Sequence, residues 1–296
     1  MNLKSHPEAA RREIFGAAAE VAQLLGWSAY DAGRHGAAMR YFVQGLKLAR
    51  EARDYMMGGR LLANLSHQAN FLGNYADAVK FARAAQSATA GQATKNVQTM
   101  YVMHEARALA NLGDRRGTAE AIHRAEQLFE QRDPAREPGW IGYYDPAELA
   151  GDASHCFRDL GLAEETKEFV GRALSPDTPP RTRAFIQMVS AVASYSAGDL
   201  EEAVTLASEA VRNGAGLQSA RYLRYLTDFQ GTVSVHAGHR LVGEFEHLLR
   251  EQYPDLPSSL ARARTAATSG QPRQSGSSGP ASGTRPRYPQ TGQRSA

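Results

Sequence analysis

Leu25–Ala49 reads LGWSAYDAGRHGAAMRYFVQGLKLA, and the same pattern returns twice without gaps. Leu65–Thr89 reads LSHQANFLGNYADAVKFARAAQSAT, and Glu105–Phe129 reads EARALANLGDRRGTAEAIHRAEQLF. A glycine holds the ninth place in each stretch, as Gly33, Gly73 and Gly113, at intervals of 40 residues. A fixed period of this length signals stacked supersecondary units. Each unit reads as a first helix closed by a glycine free to turn left-handed, a short turn, and a second helix. That second helix turns small residues toward its partner: Ala38 and Ala78 five places after the glycine, and Gly45, Ala85 and Ala125 twelve places after. A bulky side chain there would push the two helices apart. Two further units follow, FRDLGLAEETKEFVGRAL around Gly161 with Ala173, and YSAGDLEEAVTLASEAV around Gly198 with Ala203 and Ala210.

Working outward, proline marks the divisions. None of the 13 prolines lies between Glu8 and Asp133 or between Arg181 and Tyr253. A proline inside a helix removes a hydrogen bond and clashes with the preceding turn, so these gaps permit long helices. They are filled with Ala, Leu, Arg, Glu and Gln, which are good helix formers, and β-branched residues are sparse. The expected body is all-α over residues 1–253. After Leu260 there is no Val, Ile, Leu, Met, Phe or Trp. Such a segment cannot offset its ordering entropy by burial, so 254–296 is expected to be a disordered tail rich in Pro, Gly, Ser and Arg.

Charge and cysteine exclude several classes. The net +3 is misleading, because after Tyr253 six arginines stand against Asp255 alone. The rest of the chain therefore carries two more acids than bases, which is not the basic surface of a usual nucleic-acid binder. The tail's charges are dilute, with only Tyr288 among them as an aromatic, and read as a solubilising extension. Cys156 is the single cysteine, so an internal disulfide is excluded and a reducing cytoplasm is the expected setting. Lys4, Glu8, Arg11, Arg12 and Glu13 break any signal-peptide core. Ile14–Tyr30 is interrupted by Glu20 and Gln23 and reads as an amphipathic helix, so no membrane span is expected.

Small residue, turn glycine, alanine, aromatic and alanine at these offsets resemble the tetratricopeptide (TPR) motif. In the first unit Leu25, Gly26, Gly33, Ala38, Phe42 and Gly45 fit its helix-packing positions. The departures are a missing terminal proline in units one to three, Thr118 and Thr166 in place of the alanine after the turn, and glycine intervals of 40, 40, 48 and 37 against the motif's usual period of about 34. Longer helices or connections must absorb the difference. The resemblance implies a right-handed superhelix of about five helical hairpins, near 19–52, 59–92, 99–132, 147–180 and 184–217, with capping helices over 218–253. GWSAYDAGRHGAAMRYFVQGLKLA, LANLSHQANFLGNYADAV and HCFRDLG further resemble the TPR portion of actinobacterial regulators, in which the array follows a helix-turn-helix; the chain is similar, more distantly, to peptide-pheromone receptors. Only about one helix precedes the first unit, so the expectation is that the DNA-reading domain is absent or lies outside this chain.

In TPR arrays the ligand-facing positions lie six, three and two residues before the turn glycine. Carried onto this sequence, the resemblance implies Trp27, Tyr30 and Asp31; His67, Asn70 and Phe71; Arg107, Ala110 and Asn111; His155, Arg158 and Asp159; and Val192, Tyr195 and Ser196. Asparagine amides suit a peptide backbone, guanidinium groups suit carboxylates, and the rings suit apolar ligand side chains. The competing reading is a set of solvated helix faces, with Trp27 joining neighbouring repeats. The irregular insert DPAREPGWIGYYDPAEL concentrates Trp140, Tyr143 and Tyr144; these read as filling the wider gap between units three and four, in preference to a binding loop.

Catalytic motifs are absent from the sequence: it has no G-x-x-x-x-G-K-[ST], no H-E-x-x-H and no G-x-S-x-G. Cys156 beside His155 reads as a buried small hydrophobe next to a polar-face histidine, because adjacent helical residues do not face each other. The expectation is a non-catalytic regulatory protein, free of cofactor and metal, that binds a peptide or protein segment in its groove and modulates transcription. The rivals are a passive assembly scaffold and the sensor part of a DNA-binding regulator. A homodimer stays open, and direct nucleic-acid binding is not expected.

Overall fold

The computed structural model describes residues 8–256, all of which belong to one unit. The tail expectation beyond Leu256 falls outside these residues. The described chain is all-α, with no strand among the described residues. Its helices are α1 Glu8–Asp31, α2 His35–Ala52, α3 Tyr55–Phe71, α4 Tyr75–Ala88, α5 Lys95–Asn111, α6 Arg115–Glu130, α7 Pro146–Asp159, α8 Ala163–Ala173, α9 Pro180–Ser196, α10 Leu200–Asn213, α11 Ala220–Val233 and α12 Arg240–Gln252.

The first ten helices pair as five consecutive hairpins. Each is closed by the expected glycine with positive φ: 72° at Gly33, 83° at Gly73, 75° at Gly113, 72° at Gly161 and 88° at Gly198. Helices α3, α6, α7 and α10 start on an aspartate that accepts from the backbone three residues on, as Asp114 does from Gly117 and Asp199 from Glu202, which satisfies an otherwise orphaned N–H. Odd-numbered helices also touch in series: α1 with α3, α3 with α5, α5 with α7, α7 with α9, α9 with α11. They therefore form one layer and the even-numbered helices another.

Two boundaries differ from the sequence reading in an instructive way. Helix α3 begins at Tyr55 and α5 at Lys95, about one turn ahead of the expected 59 and 99; the extra turn is where the 40-residue period is taken up. Residues 218–253 do not merely cover an end. Helix α11 touches α9 while α12 packs on α10, so α11 takes the place of a sixth first helix.

Close approach within and between hairpins depends on missing side chains. A Cβ on Gly26 would lie 2.3 Å from the Phe42 ring, and one on Gly45 would lie 2.9 Å from Leu61. The insert forms two 3-10 turns, Pro134–Arg136 and Gly139–Ile141. Ile141 and Tyr144 are buried in the central core with Met103, Leu149 and Cys156, and Trp140 packs against that core under the Arg60 guanidinium at 4.5 Å. Each such large apolar group contributes about 1.5–3 kcal/mol on burial. No helix among the described residues is long and apolar enough to cross a membrane.

Candidate functional site

The layer of odd-numbered helices bends until its two ends meet. Asp31, at the end of α1, accepts from Arg221 Nε at 2.9 Å and Ser219 Oγ at 3.1 Å, both at the start of α11, and from Arg181 of α9 at 3.3 Å. The Arg221 guanidinium lies 5.4 Å from the Trp27 ring, 5.2 Å from Tyr30 and 5.6 Å from Phe185. Arg224 lies 5.2 Å from Phe71, and Tyr225 faces Arg158 at 5.5 Å and His155 at 6.0 Å. One helix thus touches α1, α3, α7 and α9. Inside this closure is a cavity of about 730 Å³, within the roughly 300–1,000 Å³ of small-ligand sites.

Eight of the fifteen positions that the resemblance implied line it: His67, Asn70, Phe71, Arg107, Asn111, His155, Arg158 and Asp159. They are already organised. Arg107 donates to Asp152 Oδ1 at 3.0 Å, and the Tyr144 hydroxyl donates to Asp152 Oδ2 at 2.8 Å. Asn111 Nδ2 donates to Asp159 Oδ2 at 2.8 Å, and Arg158 donates to Asp159 Oδ1 from Nε at 2.8 Å and from a terminal nitrogen at 2.5 Å. Among the described residues the Asn70 side chain has a single hydrogen bond, a 3.4 Å contact from Asn111, so most of its amide valence is open to a ligand.

Trp27, Tyr30, Asp31, Ala110, Val192, Tyr195 and Ser196 do not line it. Tyr30 is fully buried, stacked on Trp27 at 5.5 Å, with its hydroxyl 3.1 Å from His67 Nδ1; it orients that histidine from behind the wall. Trp27 supports Arg221 by its face, and Asp31 is consumed by the closure. Tyr195 sits at the end of α9, 3.3 Å from His236 Nε2.

Electrostatics set the protonation states. Burial, followed by the charges of Arg221 and Arg107, pushes His67 well below the usual imidazole range. Burial, with Arg107 and Arg158, does the same to His155. Both are therefore neutral rings at neutral pH, able to donate or accept one hydrogen bond. Glu148 moves the other way, up to about 7, first by burial and then by the charge of Asp152, with Arg107 opposing. Burial raises the Cys156 thiol, so it is protonated and inert.

Helix α11 and the start of α7 supply wall residues that the repeat register did not point to: Arg221, Arg224, Tyr225 and Asp228 from the former, Glu148 and Asp152 from the latter. The first four are spaced i, i+3, i+4 and i+7, a single helical face, so a signal was present in RYLRYLTD. Fold and site together define an all-helical stack of hairpins closed around a polar cavity. No protein-family model matches the chain, and no curated protein matches it.

Proposed function

We propose that this chain is a non-catalytic, TPR-like regulatory protein that receives a short peptide in the open cavity between its first helices and signals its occupancy to a transcription factor. The single observation that carries this reading is the cavity itself. It is bordered by first helices of successive hairpins, it is sized for a few residues, and it presents amides, neutral imidazoles and guanidinium groups rather than an activated nucleophile. Such a wall can pair a peptide backbone through Asn70 and Asn111 and hold side chains against Phe71 and Tyr225. The transcriptional output rests on the resemblance to actinobacterial regulators, and the reading places the protein in the cytoplasm.

A second reading, an assembly scaffold, is favoured by one observation. The large apolar side chains left exposed concentrate on the first hairpin, including Val21, Leu24, Leu25, Met39 and Val43, and such grouping marks protein contact surfaces. Purification of the tagged chain from its own host, with mass spectrometry of co-eluting proteins and peptides, separates the two. The cavity reading expects the partner to be lost from an Asn70→Ala/Arg224→Ala variant. Retention by that variant, with loss from Leu24→Glu, would replace it by the scaffold.

A further inference from the structure

The cavity wall is not evenly charged. Where α7 begins, Asp145, Glu148 and Asp152 all border the cavity. The cation nearest them, Arg107, is already bound to Asp152 at 3.0 Å. Asp145 caps α7 by accepting the Glu148 N–H at 2.9 Å. The Glu148 carboxylate alone has no hydrogen-bond or ion-pair partner among the described residues, and it is only partly accessible. A carboxylate partly withdrawn from water between two acidic neighbours costs free energy until it gains a counter-charge or a proton. Two more atoms of the same wall have no hydrogen-bond partner among the described residues, Nδ1 of His155, a residue only 7% exposed, and Nε of Arg107.

We infer that the cavity recognises a ligand carrying a protonated amine, with Glu148 as its counter-ion. Resting on the peptide reading above, that amine is the free amino terminus of the peptide. An ammonium brings three donors, enough to bond Glu148 and a free oxygen of Asp145 while lying against the Tyr143 ring, which borders the same cavity. These bonds are charge-assisted and so stronger than neutral ones. From Glu148 to Arg158 is ten residues along α7, about 15 Å of helical rise. An extended chain at about 3.3 Å per residue runs along that length of wall in four or five residues, which sets the size of the peptide probe.

Binding also has a pH signature. The groups facing Glu148 are Asp145 and Asp152 from its own helix and cap, Arg107 from α5 and Tyr143 from the insert. With the carboxyl raised to about 7, an arriving ammonium expels a proton, so affinity rises as pH climbs through that value.

The test uses the full chain and Glu148→Gln, whose matching thermal melts at acid pH confirm an intact fold. Each is equilibrated at pH 8 with random pentapeptides bearing free amino termini, with the same pool N-acetylated, and with cadaverine, and bound material is quantified by mass spectrometry. The expected result is at least ten-fold greater retention of the free pool over the acetylated pool by the wild type, lost in Glu148→Gln and weakened at pH 6. Equal retention of both pools, or retention unchanged in Glu148→Gln, overturns the amine inference while leaving the peptide reading standing. Retention of cadaverine alone, dependent on Glu148, supports the amine inference and overturns the peptide reading. Retention of none of the three probes overturns both.

Discussion

Gly26 has room for a hydrogen and nothing larger, because a Cβ there would fall 2.3 Å from the Phe42 ring, which is fully buried and cannot step aside. Gly26→Ala is therefore expected to destabilise the fold by about 1–3 kcal/mol, read as a lower denaturation midpoint; an unchanged midpoint would show that α1 and α2 do not approach this closely. This residue was legible in the sequence, since its place before the turn glycine and the aromatic after it fall within one unit. Glu148 was not legible. It is one acid among 31, and its isolation arises only when the insert, α5 and α7 converge. Its consequence for stability follows from linkage. The folded carboxyl holds its proton up to about pH 7 against an ordinary 4.5, so the native state binds more protons than the unfolded chain between those values. Its contribution is complete below about 4.5 and is lost as pH rises through 7. Glu148→Gln should melt above the wild type at pH 8 and with it at pH 4.5; a constant difference across that range would contradict the assignment.

At the scale of elements, buried charge ties neighbouring helices. Glu105 of α5 is 5% exposed and accepts from Arg83 at 2.8 Å and Gln86 at 2.8 Å on α4, and from Arg124 at 2.7 Å on α6. Burial alone would raise its pKa, but these hydrogen bonds and charges outweigh it and hold the carboxyl below its ordinary value. The bond between Arg107 of α5 and Asp152 of α7 is more enclosed, at 15% and 9% side-chain exposure. Removing one partner leaves a desolvated charge, so Asp152→Ala is expected to cost about 3–5 kcal/mol. In a double-mutant cycle, adding Arg107→Met should cost far less than it does in the wild type, with unfolding free energies as the measure; strict additivity would mean the two groups do not interact. Elements also show why the sequence reading stopped where it did. The hairpins repeat a local pattern of small residues and turn glycines, and all five glycines take the expected conformation. Helix α11 has no such glycine. The sequence implies only capping helices over 218–253, because nothing within twenty residues of Arg221, Arg224, Tyr225 and Asp228 indicates that α1 and α3 lie opposite.

At the scale of the molecule, the decisive contacts join residues about 190 positions apart, Asp31 with Ser219 and Arg221. Periodicity carries no information on such closure; it depends on how the small rotations between hairpins add up. The half-exposed bonds of Asp31 should be worth about 1 kcal/mol, so Asp31→Ala should speed amide exchange several-fold at both the end of α1 and the start of α11, with α5 and α6 unaffected. Exchange that rises at one end alone would show that the two ends are not joined. The same closure makes the cavity, and the cavity is the central claim. Native mass spectrometry of the chain, purified gently from its own host, tests it most directly. The account predicts an adduct of a few hundred daltons whose fragments are those of a short peptide, absent from Asn70→Ala/Arg224→Ala. An adduct kept in full by that variant, or only whole-protein complexes that ignore the substitutions, would contradict it.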